Sequence, residues 1–257
     1  LPEEFDAWFD HLALIFNQYD NLEASRQYFM NHWYNDPWRE RHAIFVAMDG
    51  DVLASTLRVF HRKIYAQGKQ YSMGGLGEVS TKEEYRRRGL SGALQEMAIE
   101  YMAKERLDFS FLSTGTPGHY ARYGWEEVPK YYQVAEIAPQ RCSNAKLINF
   151  HNEAELKQVQ NLHHKYSLRF NGPVVRDNNQ YWLDWVKTEM GRGWMPSQIG
   201  KGWVLTEDGQ IVAYLMAAKP LSNPCLNVLD FASASDGNQY FERLIKHALW
   251  SMNMGES

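Results

Sequence analysis

Apolar residues Phe5, Trp8, Phe9, Leu12, Ile15, Phe16 and Tyr19 recur at three- and four-residue spacing, which predicts a helix opening the stretch up to Tyr34, with a second around Ala24 to His32. The period then changes. Residues 43–48 and 52–65 are rich in β-branched and aromatic side chains and are separated by Asp49-Gly50, a strong hairpin signal. A second turn at Gln67-Gly68-Lys69-Gln70 leads into a strand from Tyr71 to Thr81. Next, Leu90, Leu94, Met97 and Tyr101 form the apolar stripe of a predicted helix, with Gln95, Glu96 and Glu100 placed elsewhere on it. Residues 109–113 read as a strand. Residues 114–118 then turn into a short helix carrying His119 to Tyr123, stopped by Gly124.

Beyond Pro129 the pattern loosens, and Pro139 to Asn144 reads as a linker. A second series follows: a strand near Lys146 to Phe150, helical segments over 153–170 and 181–187, strands at 202–206, 211–218 and 227–232, and a helix from Tyr240 to Trp250. The order imitates the first half and predicts a degenerate repeat, with domains at 1–138 and 139–257. The fold class is mixed α/β (α+β), each unit a twisted, mostly antiparallel sheet flanked by helices. The second unit is expected to stop before its last strands.

Composition narrows the setting. Of 257 residues, 44% are apolar and 23% charged, with a formal net charge of −4. That describes a soluble globular chain without the basic excess of a nucleic-acid binder. No run reaches the ~20 apolar residues that cross a bilayer, and no secretory signal opens the chain, so cytoplasmic residence is expected. Two distant cysteines, Cys142 and Cys225, are read as free thiols. His163-His164 has no acidic or cysteine partner nearby in sequence, so no metal is expected. Leu1 in place of an initiator methionine suggests a piece of a longer protein.

The chemistry concentrates between Val79 and Gly92. Tyr85-Arg86-Arg87-Arg88-Gly89-Leu90-Ser91-Gly92 joins a strand to a helix. Helix N-terminal N–H groups lack intrahelical partners and carry partial positive charge, and glycine lets a ligand approach the main chain. A phosphorylated cofactor is the expected ligand.

This run resembles the acetyl-CoA loop of the GNAT N-acetyltransferases, whose signature is Arg/Gln-x-x-Gly-x-Gly/Ala. Arg86, Gly89 and Ser91 take its three fixed positions, with serine standing where the family usually has glycine or alanine. His119-Tyr120-Ala121-Arg122-Tyr123-Gly124-Trp125 resembles the family's Tyr-x-Arg/Lys-Phe/Tyr-Gly-aromatic segment. Within the family, the chain resembles the mycobacterial enhanced-intracellular-survival acetyltransferases. In these, two fused GNAT units precede a sterol-carrier-like domain that is absent here.

The resemblance implies acetyl-CoA as co-substrate. Val79 and Thr81, with Ser80 between them, would meet the pantetheine arm through the main chain. Arg86, Arg87, Arg88, Gly89, Leu90, Ser91 and Gly92 would surround the pyrophosphate, and Gly115 and Thr116 would touch the cofactor from the next strand end. Tyr120 would protonate the leaving thiolate, and Glu78 would deprotonate the acceptor amine through water. Asp20, Trp33, Tyr34, Asp36 and Trp38 are candidates to line an amine pocket, core packing being the competing fate of each. Asp230 to Tyr240, where the second unit should repeat the loop, contains Asp236-Gly237 but no Arg-x-x-Gly-x-Gly equivalent, so one cofactor per chain is expected.

The implied reaction is direct acetyl transfer to a primary amine of a small cationic molecule, polyamine-like or aminoglycoside-like. A protein lysine or N-terminus is the rival acceptor, and a CoA-binding pseudoenzyme acting as an interaction module is the rival class. Neither nucleic acid nor a membrane is expected as partner, while a homo-oligomer stays open.

Overall fold

The structure is a computed structural model and describes residues 2–17, 20–129, 131–187, 198–220, 225–235 and 238–254. Tyr19 and Asp236-Gly237 of the sequence reading lie outside the described residues. The chain divides into two compact units, one of residues 1–64 and 70–131, the other of residues 65–69 and 132–257.

In the first unit, α1 (Pro2–Phe16) buries Trp8, Phe9 and Leu12 against Phe29 and Trp33 of α2 (Leu22–Tyr34) and against Leu53. Helical spacing puts these residues on one stripe, and Asn21 starts α2 by accepting the Ala24 N–H at 3.0 Å. Strands β1 (Ile44–Asp49), β2 (Val52–Ala66), β3 (Lys69–Thr81) and β4 (Phe109–Phe111) form one sheet in that order. Gln67 and Gly68, at φ 50° and 72°, supply the left-handed pair that a tight β2–β3 hairpin requires. Adjacent strand residues face opposite sides of the sheet. Thr56 accepts a hydrogen bond from Trp8 Nε1 of α1 at 3.1 Å. Its neighbour Leu57 packs with Val59 and Leu76 against Leu94, Ala98 and Met102 of α3 (Leu90–Lys104). Thus α1 and α2 cover one face and α3 the other.

The stripe expected on α3 is displaced by one position. Met97 is 51% exposed, whereas Gln95 is fully buried beside Leu94 and Ala98. Gln95 enters because its amide has polar partners in the unit, as described below. β4 is also shorter than the run 109–113. It pairs parallel with β3 only from Met73–Phe109 to Gly75–Phe111. β3 continues without β4 toward Thr81, through Glu78 at φ 55°. A short helix α4 (Pro117–Ala121) follows.

The second unit has an antiparallel sheet of β5 (Ala145–Leu147), β6 (Gln198–Glu207), β7 (Gln210–Pro220) and β8 (Asn227–Ser233). Trp203, Leu205, Leu215 and Ala217 pack on Leu244, Ile245 and Ala248 of α6 (Gln239–Met254). On the opposite face Tyr214 meets His163 of α5 (Glu153–Ser167), Oη to Nδ1 at 2.9 Å, and donates to Asp230 at 3.0 Å. His163 Nε2 meets the Val174 carbonyl at 3.0 Å, and burial drives the imidazole pKa down to about 4. His163 is buried in this unit, whereas His164 is exposed and its Nδ1 meets the hydroxyl of Tyr65, a member of the same unit, at 2.7 Å. Among the described residues no cluster of three or more potential metal ligands occurs. No described helix is long and apolar enough to cross a membrane.

Candidate acyl-CoA site

The end of β3–β4 pairing sets the geometry of the site. Past Gly75 and Phe111 the two parallel strands no longer bond, so among the described residues one edge of β3 lies open. The other edge is taken. Lys82 N–H donates to the Ala54 carbonyl at 2.9 Å, and the Ser80 carbonyl accepts from Ser55 Oγ at 2.9 Å. Main-chain groups alternate direction along a strand, so Val79 and Thr81 turn theirs away from β2. Arg86 Nε lies 3.4 Å from the Thr81 carbonyl.

Here the first unit contains a cavity of about 850 Å³. Val79, Ser80 and Thr81 form one wall; Arg86, Arg87, Gly89, Leu90, Ser91 and Gly92 form the next; Thr116 and Tyr120 close a third. Gly89, at φ 80°, makes the turn into α3 with no capping side chain, leaving the first N–H groups of the helix for a ligand. Arg87 is also left-handed, at φ 62°. Alternating backbone hands of this kind direct successive N–H groups into one concavity suited to an anion. Three guanidinium-bearing residues, Arg86, Arg87 and Arg122, line the cavity of a chain whose net charge is −4.

Not every candidate lies on these walls. Arg88 donates to the Glu84 carbonyl at 2.8 Å and rests over the Tyr85 ring, and Gly115 is not among the lining residues. Glu78 is also absent from the lining. Its carboxylate is buried 3.7 Å from Arg58 Nη1 and accepts no hydrogen bond from a described residue. Burial raises its pKa above the usual carboxylate value, with Arg58 opposing. Asp36 is fully buried between Arg58, at 2.7 Å, and Arg62, at 3.0 Å, and Trp33 belongs to the core. Two cations already neutralise Asp36, so neither residue is available to attract an amine.

The sequence reading missed four lining residues: Ile15, Tyr85, His119 and Arg122. Arg122 was visible within the second motif, and His119 directly precedes Tyr120. His119 Nε2 lies 3.1 Å from Ser91 Oγ and 3.0 Å from Gln95 Nε2. An amide nitrogen only donates, so His119 Nε2 accepts and its hydrogen resides on Nδ1. This bond explains the burial of Gln95 and ties α4 to the start of α3. Tyr120 is half-buried, with its ring edge-on to Trp125. Burial raises its phenol pKa above 10, against a hydrogen bond with Thr114, so it carries its proton at neutral pH. Gly92 admits Tyr123, whose hydroxyl would lie 2.2 Å from any Cβ at that position.

An open strand edge, an uncapped helix start flanked by arginines and a protonated phenol thus share one cavity. Residues 2–128 match the family model of the acetyltransferase (GNAT) domain. That segment carries a GNAT domain. Comparison with curated proteins gives no sequence match. Among solved structures, the chain is similar to a conserved Enterococcus faecalis protein described as a probable N-acyltransferase. The identity is 18% and the TM-score 0.70, over 98% of this chain and 60% of that one. It is also similar to a GCN5-related N-acetyltransferase from Anabaena variabilis, at 13% identity and TM-score 0.70 over 98% and 61%. Eis1 from Mycobacterium abscessus aligns at 15% identity and TM-score 0.56, over 87% and 60%. These likenesses establish a shared fold reaching beyond the GNAT domain into the second unit. The chain spans about 60% of the length of those structures.

Proposed function

We propose that this chain is an acetyl-CoA-dependent N-acetyltransferase whose single catalytic centre is the cavity of the GNAT domain. The observation that carries the reading is the meeting of the open β3 edge and the Arg86–Gly92 helix start with Tyr120. The arginines and helix N–H groups hold the pyrophosphate. Main-chain groups of Val79 and Thr81 hold the pantetheine arm as a strand would, placing the thioester beyond β3 toward Tyr120.

The acceptor amine attacks the thioester carbon directly, with no covalent enzyme intermediate. Tyr120 gives its proton to the departing sulfur. Glu78 is a candidate base, its raised pKa suiting the role, although a water would have to link it to the cavity. Following the family resemblance, the acceptor is a primary amine of a small cationic molecule, polyamine-like or aminoglycoside-like. A lysine or N-terminal amine of a protein is the competing acceptor.

The test incubates the chain with acetyl-CoA and, separately, spermidine, kanamycin and a lysine-containing peptide, following free thiol and product mass. Amine-dependent thiol release with a product heavier by one acetyl group supports the reading. Acetyl-CoA binding without such release would instead make the chain a CoA-binding pseudoenzyme.

A further inference from the structure

Behind the Ser80 wall lies a pair that the scheme above does not use. His11, on α1, is 3% exposed, and its Nε2 lies 3.0 Å from Ser80 Oγ. Its Nδ1 lies 3.1 Å from the Leu53 carbonyl. A carbonyl oxygen can only accept, so Nδ1 bears the ring hydrogen and Nε2 presents its lone pair. Ser80 therefore donates its hydroxyl proton to His11, an alignment shorter than its 3.4 Å alternative to the Glu78 carbonyl. Ile15, one helical turn beyond His11 on the same face of α1, lines the cavity as Ser80 does. A serine of the cavity lining whose hydroxyl donates to a base, with a fixed group orienting that base, has the arrangement of an activated hydroxyl.

We propose that Ser80 and His11 form a proton relay that removes the acceptor amine's proton during acyl transfer, Ser80 touching the reacting amine and His11 acting through it. The inference rests on the acyl-transfer reading and competes only with Glu78 for the base. Nitrogen bonds to the thioester carbon and becomes acidic. It passes a proton to Ser80 Oγ while Ser80 passes its own to His11 Nε2. The C–S bond breaks, sulfur takes the Tyr120 proton, and imidazolium and phenolate return to their starting states by exchange with water. Placement favours the relay over Glu78, since Ser80 is on the cavity wall and Glu78 is not. Burial lowers the His11 pKa, against its bond to Leu53. Lys82 lowers it further and Glu84 raises it, so the imidazole is neutral and able to accept near neutral pH.

The experiment compares Ser80→Ala, His11→Gln and their double variant with the wild type, using acetyl-CoA and the amines above. Glutamine can still bond Ser80 but cannot take up its proton. Expected are a fall in kcat of about 100-fold in each single variant, a KM for acetyl-CoA within about threefold, and a double variant no slower than either single. The acidic limb of the wild-type kcat–pH profile should vanish in His11→Gln and survive in Glu78→Gln. Turnover within about twofold of wild type in folded Ser80→Ala, or a loss residing wholly in KM, overturns the relay. If His11→Gln does not fold, Ser80→Ala decides alone, because it deletes one oxygen. Absence of amine-dependent thiol release from the wild type would remove the acyl-transfer reading and the relay together. Release that survives both substitutions removes the relay only.

Discussion

Individual side chains in the site are governed by burial and by the partners they find there. Tyr120 holds its proton more firmly than a free phenol because desolvation raises its pKa. Tyr120→Phe should therefore lower kcat about 100-fold while leaving the acetyl-CoA dissociation constant unchanged, measured by steady-state rates and calorimetry. In the wild type, loss of the acid form should reduce kcat only above about pH 10. Glu78 provides a second case, seen in stability. Its pKa in the fold exceeds the unfolded value of 4.5, so its contribution is complete below that pH and disappears as pH rises through the folded value. Glu78→Gln should consequently raise the melting temperature at about pH 7 and leave it nearly unchanged at about pH 4. Sequence made Tyr120 and the arginine-glycine run visible because both sit within short motifs. The His11–Ser80 pair was not visible: 69 positions separate its members, and only the packing of α1 on the sheet brings them together.

The decisive element is the join between β3 and α3, where Arg87 and Gly89 adopt left-handed backbone and the arginines diverge in role. Arg86→Ala and Arg87→Ala should each weaken acetyl-CoA binding about tenfold and reduce its salt dependence, read by titration at two ionic strengths. Arg88→Ala should do so far less, because its guanidinium is engaged by the Glu84 carbonyl and Tyr85. Hydrophobic period gave the helices of the first unit, since one buried face imposes that period on the residues, and the turn residues Asp49-Gly50 and Gln67-Gly68 gave its two hairpins. It misjudged α3, where Gln95 replaces Met97 on the inner face, because amphipathicity cannot foresee a buried amide whose nitrogen is held by His119 and Ser91. The length of β4 was hidden for a related reason. Residues 109–113 suit a strand throughout, but pairing depends on whether β3 stays alongside.

For the whole molecule, the second unit is again a four-stranded sheet packed with helices, and its sequence holds no Arg-x-x-Gly-x-Gly run. Its described interior is filled by Trp203, Tyr214, Trp182 and their neighbours. Isothermal titration should accordingly give one acetyl-CoA per chain, and substitution of Arg87 should weaken that single isotherm as a whole rather than remove half of it. By packing, residues 65–69 of the β2–β3 hairpin group with the second unit while 70–131 group with the first. No linear reading of composition assigns a hairpin tip to the other half of a chain.

The parting of β3 from β4 at Gly75 and Phe111 also bears on how the protein survives without its cofactor. An unpaired strand edge is a template that another polypeptide can extend, and the pantetheine arm proposed here would occupy that template in place of a protein strand. CoA would then act as a guardian of solubility as well as a reactant. Saturating CoA should lengthen the lag before light scattering rises on mild heating, and Arg87→Ala, through weaker binding, should forfeit that protection.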